Sequence, residues 1–180
     1  MVDELFILKE VIKRLNNAGI PYMISGSMAL NYYTEPRMTR DIDIVIELKQ
    51  DDSNRVYNLF KDDFYVDLRM IESAIKKEGM FNIIHLEEII KIDFIIRKST
   101  PYRRLEFERK KKIRIEDMDT YIVSIEDLIL SKLFWAKDSR SAIQLADAKN
   151  LINESNVDMN YIDKWAPELG IKDLLAEILK

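Results

Sequence analysis

The run Asp41-Ile42-Asp43-Ile44-Val45-Ile46 restricts what this chain can fold into more than any other stretch. Side chains two apart on a strand project to one side, so Asp41 and Asp43 face together while Ile42 and Ile44 face the other way. The strand therefore offers one apolar face to a core. On its other face two like charges need a cation, an arginine or solvent.

The flanking segments supply the rest of a sheet and its helices. Leu5, Leu8, Val11, Ile12 and Leu15 recur at helical spacing after a possible Asp3 cap, and Asn16 to Gly19 supply a stop, which predicts a helix over 3–18. Pro21 to Ile24 read as a short buried strand, and the turn Ser25-Gly26-Ser27 leads into a helix over 28–33. A helix from the Asp51-Asp52-Ser53 cluster to about Phe60 follows, then a short one over 71–77 and two β-rich runs, 81–86 and 90–96. Beyond Pro101 the character changes. Residues 109–115 and 120–123 flank a hairpin turn, and helical patterns start after Ser124 and near residues 141, 160 and 171. The expected class is α/β (α+β): a mixed twisted sheet with flanking helices. Residues 1–100 form the core, and 101–180 form a hairpin plus a helical portion packed on it.

Composition narrows the chemistry. The chain has 180 residues, 47% of them hydrophobic, enough for a packed interior. No apolar run approaches the roughly 18 residues that span a bilayer, and the charged opening lacks the layout of a secretory signal, so a soluble, cytoplasmic protein with no membrane partner is expected. There is no cysteine and only His85, which excludes disulfides and thiolate chemistry and argues against a histidine-built metal site. Carboxylates, hydroxyls, Lys and Arg are left. From Arg97 to Arg114 nine Lys or Arg stand against Glu106 and Glu108, a local charge of +7 that leaves −11 on the rest of a chain of net charge −4. Such a block can hold a polyanion, or be a solvated face or edge-strand protection.

Oxygen-only ligands on one strand face suit Mg²⁺ or Mn²⁺, which take a near-octahedral shell at about 2.1 Å completed by water and phosphate oxygens. Asp93, mid-strand between Ile92 and Phe94, is a third candidate ligand. A Gly-Ser turn entering a helix, with Arg37 and Arg40 just before the aspartates, makes a phosphate-and-metal device.

These parts resemble the nucleotidyltransferases of the DNA polymerase beta-like superfamily: an apolar strand, Gly-Ser, a helix, an Asp-x-Asp strand and a separate third Asp, here Ile24-Ser25-Gly26-Ser27, Asp41-Ile42-Asp43 and Asp93. More closely, "GSMALNYYTEPRMTRDIDIVIE", "FNIIHLEEIIKIDFIIRKSTPYRRLEFERKKK", "SIEDLILSKLFWA" and "QLADAKNLI" are similar to a prokaryotic group of small nucleotidyltransferases related to abortive-infection type toxins. The resemblance implies transfer of a nucleoside monophosphate from an NTP to a hydroxyl, with Mg²⁺ or Mn²⁺ on Asp41, Asp43 and Asp93. It also implies that Gly26 and Ser27 hold phosphates, that Lys132 touches the triphosphate and that Asp147 supports Lys132. Arg37 and Arg40 could take triphosphate oxygens or pair with Glu35 or Asp41; Lys132 and Asp147 could equally be ordinary helix surface. The basic block and the toxin relatives favour an RNA 3′ end, tRNA in particular, as acceptor. The rival expectation is a non-catalytic binding or regulatory member of a toxin-antitoxin-like module.

Overall fold

Alternation of apolar and polar residues is realised as one mixed sheet. A computed structural model describes residues 4–39 and 41–180, so the Asp3 cap and Arg40 lie outside the described residues. In chain order the elements are α1 (Glu4–Asn17), β1 (Tyr22–Ile24), α2 (Gly26–Tyr33), β2 (Asp41–Ile46), a 3-10 turn (Gln50–Asp52), α3 (Ser53–Phe60), β3 (Phe64–Tyr65), α4 (Leu68–Lys77), β4 (Met80–His85), β5 (Lys91–Ile96), α5 (Pro101–Glu108), β6 (Lys111–Ile115), β7 (Met118–Ile122), α6 (Ile125–Ser139), α7 (Ala142–Ile152), α8 (Met159–Glu168) and α9 (Lys172–Ile178).

The seven strands run in the order β3-β4-β5-β2-β1-β7-β6. Pairs β2–β5 and β1–β7 are parallel and the others antiparallel. The hairpin β6–β7 therefore extends the same sheet through β1. Ile42, Ile44, Ile46, Ile92, Phe94 and Ile96 are buried on one face, where the rings of Phe60 and Phe81 lie 5.7 and 5.1 Å from Phe94. That face fixes the pairing of β2 with β5, because a slip by one residue would turn the isoleucines out and the aspartates in.

Local features differ from the sequence expectation: the short strand β3 was not expected, and α4 starts at Leu68 rather than Ile71. Helix α5 was not expected, yet Thr100 precedes it as an extended N-cap and Pro101 sits at its first turn, where a missing N–H costs nothing. Helix α2 begins at Gly26 rather than Met28, which places the Gly-Ser pair inside the first helical turn.

Candidate active site

Parallel pairing in register sets Asp41 beside Lys91 and Asp43 beside Asp93. Since both strands alternate in phase, all four side chains share the face opposite the isoleucines. Asp93 is buried and Asp41 exposed. Between them lies Lys91: its Nζ donates to Asp93 Oδ2 at 2.8 Å and stands 3.5 Å from Asp41 Oδ2. The hydrogen bond to Asp93 is the main reason the Lys91 ammonium is held above the usual lysine range. Among the described residues no lysine or arginine side chain bonds to Asp43 in this way. Burial pushes its carboxyl up and the charge of Asp93 adds to this, against the pull of Lys132 and the Ser27 N–H.

The turn that enters α2 closes on Asp43. Ser25 is extended, its N–H donates to the Asp43 carbonyl at 2.9 Å, and Gly26 follows with φ +57°. No Cβ fits at residue 26, since it would overlap the Asp43 carboxyl and stand 2.7 Å from its Cβ. The Ser25 side chain makes no cap hydrogen bond; the Ser27 N–H in the first turn of α2 is instead directed at the Asp43 carboxylate. An anion approaching there meets the positive end of a helix.

A second cluster lies beside the turn. Asp147, buried on α7, accepts from Arg37 Nε at 3.2 Å, Arg37 Nη2 at 2.9 Å and Lys132 Nζ at 2.9 Å. The same Arg37 Nη2 is 3.1 Å from Ser27 Oγ. Burial alone would raise the Asp147 carboxyl, but its hydrogen bonds from Arg37 and Lys132 outweigh it and hold the group below the usual range. Arg37 thus pairs with Asp147, not with Glu35 or Asp41. Lys132 is buried on α6, not surface.

Gly26, Ser27, Asp43 and Lys132 line one cavity of about 410 Å³, which continues past Val45 and Ile95 to Trp135. Asp41 and Asp93 are not among its lining residues; they lie on the same sheet face, bridged by Lys91. Among the described residues no three acidic or histidine side chains stand close enough together to cage an ion as they are. The donor chemistry is of the kind a hard cation takes: two carboxylate oxygens converge on the Lys91 ammonium.

Sequence reasoning missed Lys91, although its place two residues before Asp93 puts it on the same strand face. It also missed Asp127. That fully buried carboxylate accepts from Ser124 Oγ at 2.7 Å, the Tyr161 hydroxyl at 2.7 Å, Arg109 Nε at 3.1 Å and the Tyr102 hydroxyl at 3.2 Å. Four of the nine cations of the basic block pair within the chain: Arg97 with Glu47, Arg103 with Glu106, Arg109 with Glu126 and Asp127, and Lys112 with Asp119. Among the described residues Lys98, Arg104, Lys110, Lys111 and Arg114 carry no ion pair, Lys110 and Arg114 donating instead to the carbonyls of Phe107 and Glu116. His85 is a strand residue whose Nδ1 accepts the Glu88 N–H at 3.1 Å. No described helix is long and apolar enough to cross a membrane.

No protein-family model and no curated protein sequence matches this chain. Solved structures do. The antibiotic-resistance factor ANT(2'')-Ia superimposes with a TM-score of 0.61 at 8% identity, over 97% of this chain and 95% of that one. An antigenic nucleotidyltransferase-like protein from Paracoccidioides brasiliensis gives 0.57 at 14%, over 97% and 90%. The fold is that of nucleotidyltransferases. The lincosamide antibiotic adenylyltransferase LnuA, solved with lincomycin bound, shares this nucleotidyltransferase fold at a TM-score of 0.55 and 15% identity, over 84% and 98%. Identities this low establish the architecture alone.

Proposed function

We propose that this chain transfers a nucleoside monophosphate from an NTP to a hydroxyl, releasing pyrophosphate. The observation that carries the reading is the placement of Asp43 in register with Asp93, against the Gly26 turn and across a cavity from Lys132, within a nucleotidyltransferase fold. Asp41, Asp43 and Asp93 would hold Mg²⁺ or Mn²⁺, which would supply positive charge against the attacking and leaving oxygens of an in-line displacement.

The chain's own groups do the rest. The backbone N–H groups at the start of α2 and the Ser27 hydroxyl receive phosphate oxygens. Lys132 and Arg37 supply fixed positive charge to the triphosphate, and Asp147 keeps both aligned without filling all their donors. Asp93 takes the proton from the attacking hydroxyl. The hydroxyl oxygen bonds to the α-phosphorus, and the bond from that phosphorus to the bridging oxygen of pyrophosphate breaks.

An RNA 3′ end, tRNA in particular, would depend on the unpaired Lys98, Arg104 and Lys111. The cavity favours a single terminal nucleotide or a small hydroxyl compound as the group that enters. Purified protein incubated with each α-labelled NTP, Mg²⁺, total RNA and a small-molecule extract tests this. A labelled acceptor that disappears in Asp43→Ala supports the reading. If nothing is labelled and Asp43→Ala leaves the cellular phenotype unchanged, the chain is instead a non-catalytic member of a toxin-antitoxin-like module.

A further inference from the structure

Two lysines serve the carboxylate face, and they are held in different ways. The Lys132 side chain is 4% exposed and bonded to the buried Asp147. The Lys91 side chain is 35% exposed and reaches Asp93 and Asp41 on a flexible four-carbon stem. It lies directly beside Asp41 in the β2–β5 register, so its ammonium has a short path out to solvent that needs no backbone movement.

We propose that Lys91 is the resident counter-ion of the Asp41–Asp93 pair, and that a divalent cation enters this site by displacing its ammonium, so that residue 91 sets the affinity for the ion. The inference rests on the nucleotidyl-transfer reading only in expecting such an ion on these carboxylates. Three carboxylates on one sheet face would repel if left bare, and one internal positive charge keeps the ion-free fold intact. A dication bound to the same oxygens would stand within a few ångströms of that charge, and at such a range two positive charges cannot share two carboxylates without a large Coulomb penalty. Part of the ion's binding energy is therefore spent on releasing Lys91.

This makes opposite demands on the two states. Replacing Lys91 by Met should lower the melting temperature of the ion-free protein and tighten the binding of Mn²⁺ alone by about three- to tenfold, the range expected for losing a competing, partly exposed ion pair. Lys91→Arg keeps the charge and should return Mn²⁺ affinity to near the wild-type value. A lysine with only a structural role would give the reverse second result, because loosening the site weakens Mn²⁺ along with the fold. Free Mn²⁺ counted by electron paramagnetic resonance reads the affinity without any turnover.

The unmodified chain provides a second measurement. Acylation of Lys91 by an amine-reactive ester, followed by peptide mass spectrometry, should accelerate when Mg²⁺ is added, while Lys132 stays protected. Mn²⁺ affinity that is equal or weaker in Lys91→Met, or Lys91 acylation that is unchanged or slowed by Mg²⁺, overturns the proposal while leaving nucleotidyl transfer standing. If neither wild type nor Lys91→Met binds Mn²⁺, the metal assignment to Asp41, Asp43 and Asp93 falls, and this proposal with it.

Discussion

Gly26 and Asp43 approach so closely that residue 26 has no room for a side chain: a methyl there would lie 2.5 Å from the Asp43 Cγ. Its backbone is also left-handed, at φ +57°. Gly19 is left-handed too, at φ +62°, but a Cβ there would meet nothing within 4 Å. The two positions therefore separate backbone strain from the clash. Gly19→Ala should cost about 1 to 2 kcal/mol, the usual left-handed penalty. Gly26→Ala should cost distinctly more and should abolish NTP-dependent stabilisation, because Asp43 must move. Urea unfolding of both variants checks this, and equal losses would dismiss the contact.

The charge of Asp43 makes a prediction with a definite sign. Burial, then the neighbouring Asp93, raise its carboxyl above the usual value. A raised folded value means the folded chain holds that proton more tightly than the unfolded one. The contribution favours folding below the unfolded value of about 3.9 and is lost as pH rises through the folded value. At neutral pH the ionised Asp43 is thus a net cost. Asp43→Asn should raise the ion-free melting temperature at pH 7 by roughly 2 to 4 °C, the shift that about 1 kcal/mol gives in a domain of this size. The gain should shrink toward pH 4, and the rise induced by Mg²⁺ and NTP should vanish. Asp41→Asn should give less, since Lys91 already stands beside that charge.

Much of this arrangement was legible in the sequence because it follows from strand periodicity. Alternation through Asp41 to Ile46 put Asp41 and Asp43 on one face, the cap at Ser124 and the stop at Gly19 marked helix ends, and it took the β2–β5 register to set Asp93 beside them. What sequence could not give was the partner of each charge. Arg37 lies six residues from Asp43 in the chain but spends its guanidinium on Asp147, 110 residues away. The basic block showed a similar limit: charge composition records nine cations but not that Glu47, Glu126 and Asp127 fold back onto several of them. Helix α5 escaped because its apolar residues, Tyr102 and Phe107, are sparse among charges, one of which, Glu106, is itself buried.

Asp147 joins Arg37 and Lys132, and removing it tests how they are held. Its side chain and that of Lys132 are 5% and 4% exposed. Truncating one partner of a buried pair leaves the other charge uncompensated, at a typical cost of about 3 to 5 kcal/mol. Asp147→Ala should therefore destabilise by that order, and Lys132→Met by less, because Arg37 still serves Asp147. The pH dependence has the opposite sign to that of Asp43. Arg37 and Lys132, working against burial, hold the Asp147 carboxyl below its usual range. Its stabilisation is complete above the unfolded value of about 3.9 and is lost as pH falls toward the lower folded value. Asp147→Asn should flatten the acid limb of a stability profile below the unfolded carboxylate value of about 3.9. An acid limb identical to wild type would remove Asp147 from this role.

Asp127 ties α6 to α5 and α8 and is not among the residues that line the cavity. Ser124 caps the start of α6 by accepting the Asp127 N–H and donates its hydroxyl to the Asp127 carboxylate, which also accepts from Tyr102 on α5 and Tyr161 on α8, while the Arg109 guanidinium lies 3.9 Å from the Tyr161 ring centre. Burial first, and then the charge of Asp127, push the Tyr161 hydroxyl far up, so it is a donor at every accessible pH. Lys132 sits five residues along the same helix, so the seating of α6 on Asp127 fixes where that ammonium stands. Tyr161→Phe removes one donor to a buried carboxylate and should cost about 1.5 to 3 kcal/mol. It should leave the NTP-induced rise in melting temperature unchanged, because Ser124, Arg109 and Tyr102 still hold the carboxylate. Asp127→Ala strips all four donors and should both destabilise severely and reduce that rise. Differential scanning fluorimetry with and without Mg²⁺ and NTP distinguishes the two effects: a Tyr161→Phe protein that loses its nucleotide response would place that hydroxyl in the site rather than in the frame.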